Sequence, residues 1–224
     1  MNGENMSDQA GWAVASAGDV DGDGIDELFV GAYGNDESDS AAGKAYILNL
    51  STITDNAYYV PLTEASSTLE GIDPADQAGY AVSSAGDIDA DGLDDFLVGA
   101  PAADSGRGEA YLLLGASVTS GEAYLSTADH IFQGASTGDA SGIALAGLGD
   151  VQGDGLDDFV IGANSRDATG TDSGAVYLIY GDIYTSTTTS LSTADLILNG
   201  EHTNDNAGTA LASAGDVDGD GFMD

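Results

Sequence analysis

A chain of 224 residues with 42% apolar content is long enough to bury a sizeable core in one large or two small domains. Acids outnumber bases 39 to 3, for a formal charge of -36, and a surface so negative repels phosphate backbones and anionic headgroups, which excludes nucleic acid as a partner. Cysteine is absent, which removes disulfides, thiolate zinc sites and thiol catalysis, and no apolar run approaches the ~18 residues of a membrane span.

Taken from the N-terminus, the predicted elements repeat. Residues 11–17 form a strand of Gly, Ala and Ser with larger residues at alternate positions (Trp12, Val14), which suits a strand crowded against others near an axis. An acidic loop, 19–27, leads into a strand at 27–32, whose run Leu28-Phe29-Val30 is expected where both faces are covered. Strands at 44–50 and near 68–69 complete the first unit. The second unit follows with 79–85, 95–100, 109–114 and 130–132, and the third with 142–148, 158–163, 175–180 and 196–198. A fourth opens at Gly208 with one more inner strand. Four antiparallel strands per unit, the most crowded one first, predict an all-β fold of β-propeller blades: about three complete blades plus the inner strand of a fourth. The chain is expected to be a single propeller segment with repeats at about 3–70, 71–133, 134–199 and a partial 200–224.

The phase of the repeat is constant where chemistry concentrates. Eight residues after Gly11, Gly79, Gly142 and Gly208 stands the first Asp of an acidic loop (Asp19, Asp87, Asp150, Asp216), and twelve residues beyond the first three comes a Gly-Ala pair at Gly31, Gly99 and Gly162. Upstream, Asp8, Asp76, Asp139 and Asp205 recur in the same phase. The first loop reads D-V-D-G-D-G-I-D-E and offers oxygens from Asp19, Asp21, Asp23, the carbonyl of Ile25, and Glu27, with a Gly at position 6 that permits a sharp reversal. Carboxylates ~5 Å apart at an effective dielectric of ~20 repel by roughly 3 kcal/mol per pair, so the loop either holds a divalent cation or splays into water. Alternating oxygens of this kind suit Ca²⁺ better than Mg²⁺. An EF-hand is excluded because its twelfth position needs Glu, whereas Val30, Val98 and Ile161 stand there inside apolar strands.

The run G-Y-A-V-S-S-A-G-D-I-D-A-D-G-L-D-D-F-L-V-G-A-P, from Gly79 to Pro101, and its in-phase copies resemble the FG-GAP repeat of integrin α-subunit propellers and their bacterial relatives. The resemblance implies a ring of usually seven blades, with a structural Ca²⁺ in the loop between the first two strands of each blade. Carried over residue by residue, it implies ligands at Asp19, Asp21, Asp23, Ile25 (carbonyl) and Glu27; at Asp87, Asp89, Asp91, Leu93 (carbonyl) and Asp95; and at Asp150, Gln152, Asp154, Leu156 (carbonyl) and Asp158. That makes about three Ca²⁺ sites, with a fourth conceivable at Asp216, Asp218, Asp220 and Asp224. Glu27 departs from the usual Asp, and Gln152 removes a charge, so the third loop is expected to bind most weakly. Three blades and one inner strand cannot close a ring, so the chain is expected to be part of a longer protein, the remaining blades coming from its missing part or from another copy.

Other candidates give way to ordinary roles. His130 shares its register with Leu196 and is expected to be a strand residue; His202 has no recurring Ser or acid to form a triad. Lys44, Arg107 and Arg166 all fall between second and third strands, either paired with nearby acids or lining one rim as a ligand surface. Tyr46, Tyr111 and Tyr177 are expected to be repeated packing. The chain is therefore expected not to be an enzyme. The expected function is a calcium-stabilised recognition or adhesion scaffold, extracellular or at the cell surface, for a protein or glycan ligand, with no membrane insertion and no signal sequence in this chain. The alternative is an accessory propeller of a secreted polysaccharide-active hydrolase or lyase whose catalytic domain lies elsewhere.

Overall fold

The computed structural model describes residues 4–37, 40–53, 60–118, 121–182, 184, 187–219 and 223. Each of the twelve strands expected in the three complete units is present. The first blade holds β1 (Ala13–Gly18), β2 (Glu27–Ala32), β3 (Lys44–Leu48) and β4 (Ser67–Glu70), each antiparallel to the one before. The second holds β5 (Ala81–Gly86), β6 (Asp95–Ala100), β7 (Glu109–Leu113) and β9 (His130–Gln133), and the third β10 (Ser141–Gly149), β11 (Asp158–Ala163), β12 (Ala175–Ile179) and β14 (Leu196–Asn199). No helix among the described residues is long and apolar enough to cross a membrane.

The two larger cores lie between blades, because a single sheet has no second layer of its own, and a smaller one of Val30, Tyr46, Leu48 and Leu62 covers the other face of the first blade. Alternate residues of β6 point to opposite sides: Phe96 and Val98 join a cluster with Phe29 and Ile47 of the first blade, while Leu97 joins Phe132, Phe159 and Ile161 on the side of the third. Phe29 and Phe96 meet edge to face with ring centroids 5.2 Å apart, and Phe132 and Phe159 repeat the contact at 5.3 Å. This double coverage is why the second strand of each unit is a continuous apolar run rather than an alternating one. Tyr46, Tyr111 and Tyr177 are buried packing residues, as expected.

Two further strands were not foreseen. β8 (Gly121–Tyr124) and β13 (Thr188–Ser190) arise in the connection between the third and fourth strands of their own blades, yet each pairs in parallel with the outer strand of the preceding blade, β8 with β4 and β13 with β9. A buried leucine directly after each, Leu125 and Leu191, pins the crossover into the interblade core. The first two sheets therefore have five strands and the third four. The segment expected as a fourth inner strand, 208–215, carries no strand pairing. An inner strand is held by the second strand of its own blade, and no such partner faces this segment among the described residues.

Lys44 does not line a rim. It is buried, with its ammonium 2.6 Å from Glu37, 3.4 Å from Glu70 and 3.5 Å from Glu4. Arg107 pairs with Asp104 at 3.0 Å, and Arg166 donates to the Tyr177 hydroxyl at 2.9 Å. Pairing with acids thus holds for Lys44 and Arg107, while Arg166 is held by Tyr177 instead. His130 is a buried strand residue stacked on Phe132 and Tyr184.

The recurring upstream Asp is a turn cap. Asp76 accepts from the Asp73 amide at 3.1 Å, Asp139 from Ser136 at 2.8 Å, Asp8 from Asn5 at 2.9 Å and Asp205 from His202 at 2.6 Å. Burial, and then the charges of Asp73, Glu109 and Asp104, push the Asp76 carboxyl up to about 6, with the Asp73 amide opposing. Its folded pKa lies above its unfolded value, so the folded chain holds that proton more tightly and loses stability as pH rises from about 4 through 6. Asn keeps the capping oxygen without the charge. Asp76→Asn should therefore gain stability relative to the parent as pH rises from 4 to 7, read as urea midpoints at each pH; a difference independent of pH would contradict this account.

Candidate metal centres

Each acidic loop links the innermost strand of a blade to the second strand. The turn is built by its own carboxylates accepting backbone amides. In the first loop Asp19 accepts from Gly24 at 2.9 Å, Asp21 from Asp23 at 3.1 Å, and Asp23 from Ile25 at 2.9 Å. The second repeats this, with Asp87 accepting from Gly92 at 3.0 Å, Asp89 from Asp91 at 3.1 Å and Asp91 from Leu93 at 2.9 Å. Positive φ at Gly24 (85°) and Gly92 (91°) closes the reversal, which is why Gly recurs at that place.

The folding of the turn brings positions 1, 3 and 9 together. Oxygens of Asp19, Asp21 and Glu27 all lie within 4.8 Å of one another, as do those of Asp87, Asp89 and Asp95. Asp23 and Asp91 do not join these trios; they cap the amides of Ile25 and Leu93. Ile25 is exposed, and Leu93 and Leu156 are half-buried. Position 9 is the buried anchor: Glu27 is 2% exposed, and Asp95 and Asp158 are fully buried. Burial, supplemented by the charges of Asp89 and Asp91, pushes Asp95 up to about 7 despite amides from Gly115 and Ile88; burial likewise pushes Glu27 to about 7, with Asp21, Asp23 and Asp19 adding to it.

These residues fit a divalent cation. The donor set is hard oxygen throughout, and in the first loop Asp19 Oδ1 and Glu27 Oε1 are buried without a hydrogen-bond partner. Asp95 Oδ1 accepts from the Gly115 amide at 2.9 Å and Asp158 Oδ1 from the Gly181 amide at 2.9 Å, whereas Glu27 Oε1 has no hydrogen-bond partner, and Leu50 stands in the first blade where those glycines do.

The third loop differs. Asp150 accepts from Gly155 at 2.8 Å and Gly153 at 2.6 Å, and Asp158 accepts from Val151 at 2.8 Å. Gln152, however, turns its amide onto Asp154 Oδ2 at 2.7 Å, so a neutral donor occupies one of the carboxylate oxygens that a cation would use. Gln152→Asp should tighten calcium binding at this loop by about tenfold, since ligand charge helps to set affinity; calorimetry of the variant showing no change would contradict the assignment. In the fourth loop Asp216 accepts from Gly219 at 2.7 Å and Asp218 is exposed, while Asp220 and Asp224 lie outside the described residues.

Asp94 and Asp157, at position 8, escaped notice as functional residues. Asp94 accepts from the backbone N–H of Asp19 at 2.8 Å, and Asp157 from that of Asp87 at 3.1 Å, in each case across to the preceding blade's loop. The signal available in the sequence was the recurrence of Asp at this place in three loops, Asp26, Asp94 and Asp157, with Met223 in the fourth.

Successive sheets, each built on four antiparallel strands, packed face to face and each carrying an acidic hairpin loop at the end of its first strand, define a β-propeller segment. The FG-GAP repeat model matches residues 10–48 and 78–113, so the first two blades carry FG-GAP repeats. Among curated relatives it is 33% identical over 169 residues to integrin alpha-IIb of Homo sapiens, covering 73% of this chain and 15% of that protein. It is 29% identical over 174 residues to integrin alpha-PS2 of Drosophila melanogaster (75% and 12%) and 31% over 184 residues to integrin alpha-5 of Xenopus laevis (75% and 16%). The chain thus spans less than a fifth of the length of these relatives.

Proposed function

We propose that the chain is a calcium-binding β-propeller segment of an extracellular or cell-surface protein, acting as a scaffold for recognition or adhesion. Ca²⁺ would be held by Asp19, Asp21, Asp23, the Ile25 carbonyl and Glu27; by Asp87, Asp89, Asp91, the Leu93 carbonyl and Asp95; and more weakly by Asp150, Gln152, Asp154, the Leu156 carbonyl and Asp158. The observation that carries this is the first trio: one oxygen each of Asp19, Asp21 and Glu27 lies within 4.8 Å of the others, and Asp19 and Glu27 each bury an oxygen with no hydrogen-bond partner. A cation there satisfies those oxygens and offsets the repulsion that otherwise opposes closing the hairpin. The millimolar calcium found outside cells would fill even sites of ~10⁻⁴ M, which joins the chemistry to the location. No catalytic role is assigned to this chain, and its ligand would be a protein or a glycan.

Calcium titration of the chelator-treated chain by calorimetry tests the reading. Two tighter sites and a weaker third are expected, and Asp89→Ala should abolish the Asp87 site while the Asp19 site still fills at millimolar calcium, since each blade carries its own ligands. Absence of binding heat at millimolar calcium would end the proposal.

A further inference from the structure

The position-8 carboxylates do more than fill space. Asp94 lies in the second blade's loop, but its Oδ2 accepts the Asp19 amide of the first blade's loop at 2.8 Å, and its own amide returns a bond to the Asp19 carbonyl at 3.2 Å. Asp157 makes the same pair with Asp87, at 3.1 Å in each direction. The residue preceding each recipient is a glycine at positive φ, Gly18 (80°) and Gly86 (79°), and a Cβ on either would collide with the incoming carboxylate. Two copies of this reciprocal clasp, each with its cleared glycine, indicate a built joint between adjacent blades.

We propose that Asp94 and Asp157 are positioning residues that couple neighbouring cation loops, each fixing the backbone of the first ligand in the preceding loop. This rests on the calcium reading above. Asp19 and Asp87 hold their side-chain oxygens on a backbone whose N–H would otherwise face solvent or turn away. A charge-assisted bond from the next blade holds that amide and therefore the Cα–Cβ direction of the ligand. Cation sites in neighbouring loops are consequently coupled through position 8, and the coupling is reciprocal: filling loop n+1 favours filling loop n by the same factor as the reverse. The third loop lacks the device. Its Gly149 faces the side chain of Met223, whose thioether is only a weak acceptor. The weakness of the Asp150 loop then has two causes, Gln152 within it and Met223 beside it.

The test uses the whole 224-residue chain, ¹⁵N-labelled, stripped of metal and titrated with calcium chloride. The amides of Gly24, Gly92 and Gly155 each donate to the first Asp of their own loop, at 2.9, 3.0 and 2.8 Å, so each resonance reports one site. Asp94→Ala should raise the calcium midpoint at Gly24 by about tenfold, the scale of a lost charge-assisted bond, and move Gly92 much less. Asp94→Asn, which keeps an acceptor oxygen, should recover most of the loss, and Met223→Asp should lower the Gly155 midpoint. A shift confined to Gly92, or an Asn variant no better than Ala, would overturn the coupling while leaving the calcium sites standing. Glycine resonances of the parent that ignore calcium would instead overturn the calcium reading and the coupling with it. In the metal-free chain, amide exchange at Asp19 should accelerate in Asp94→Ala; unchanged exchange would show that the clasp does not hold that backbone.

Discussion

Chelation of the calcium-loaded protein should lower its melting temperature by roughly 10–20 °C. A site occupied at about 100 times its Kd contributes about 2.7 kcal/mol to stability, so the two trios together contribute about 5 kcal/mol. For a chain of this size each kcal/mol is worth about 2–4 °C. The direction follows from the charges: without a cation, the Asp19–Asp21–Glu27 and Asp87–Asp89–Asp95 groups are held within 4.8 Å by the hairpin and repel one another. Glu27 and Asp95, pushed up to about 7 chiefly by burial with the neighbouring carboxylates adding to it, also tend to take up protons. Because folded pKa values lie above unfolded ones, the chelated protein gains stability as pH falls from about 7 toward 4, whereas calcium binding must expel those protons and weakens over the same range. Melting curves with calcium and with chelator at pH 8 and pH 6 therefore test sign as well as size. A melting temperature indifferent to chelator at pH 8 would remove the loops from any account of stability.

Gly99→Ala should destabilise the fold by about 3 kcal/mol, or roughly 6–12 °C, with or without calcium. A Cβ at Gly99 would be driven into the carbonyl oxygen of Gly142, at the start of the next blade's inner strand, and would sit 3.3 Å from the Ala81 Cβ. The obstacle is backbone on a packed strand, which cannot swing aside as a flexible side chain can. Gly31 meets Gly79 and Gly162 meets Gly208 in the same way, so the recurring Gly-Ala pair marks where one blade's second strand touches the next blade's first. Gly24→Ala provides the contrast: nothing lies within 4 Å, and only the left-handed φ of 85° opposes it, at about 1–2 kcal/mol. Equal losses from the two substitutions, measured by urea denaturation, would show that interblade contact at Gly99 is not the limiting feature.

The twelve blade strands were legible because each is written in local terms. Small residues mark β1, β5 and β10, uninterrupted apolar runs mark β2, β6 and β11, and an invariant phase ties them to the acidic loops. The acidic loops were legible for the same reason, since a nine-residue loop with Gly at position 6 carries its turn within itself; that positions 1, 3 and 9 approach one another while position 5 caps an amide was not. Much of what escaped is interblade. Gly121–Tyr124 and Thr188–Ser190 are too short to stand out as strands and are held as strands by the open edge of the neighbouring blade. Residues 208–215 show the converse, since a sequence matching three true inner strands does not pair where no second strand faces it.

Composition, spacing and local turn chemistry by themselves determined the all-β repeat, its blades and the acidic hairpins, since each depends on residues a few positions apart. Tertiary structure decided which loop oxygens are left unsatisfied, that Lys44 is buried beneath three glutamates, and that Asp94 serves the blade before its own. Those outcomes depend on distances between residues that separate strands and, for Asp94, separate sheets bring together, which packing sets and which no local pattern along the chain encodes.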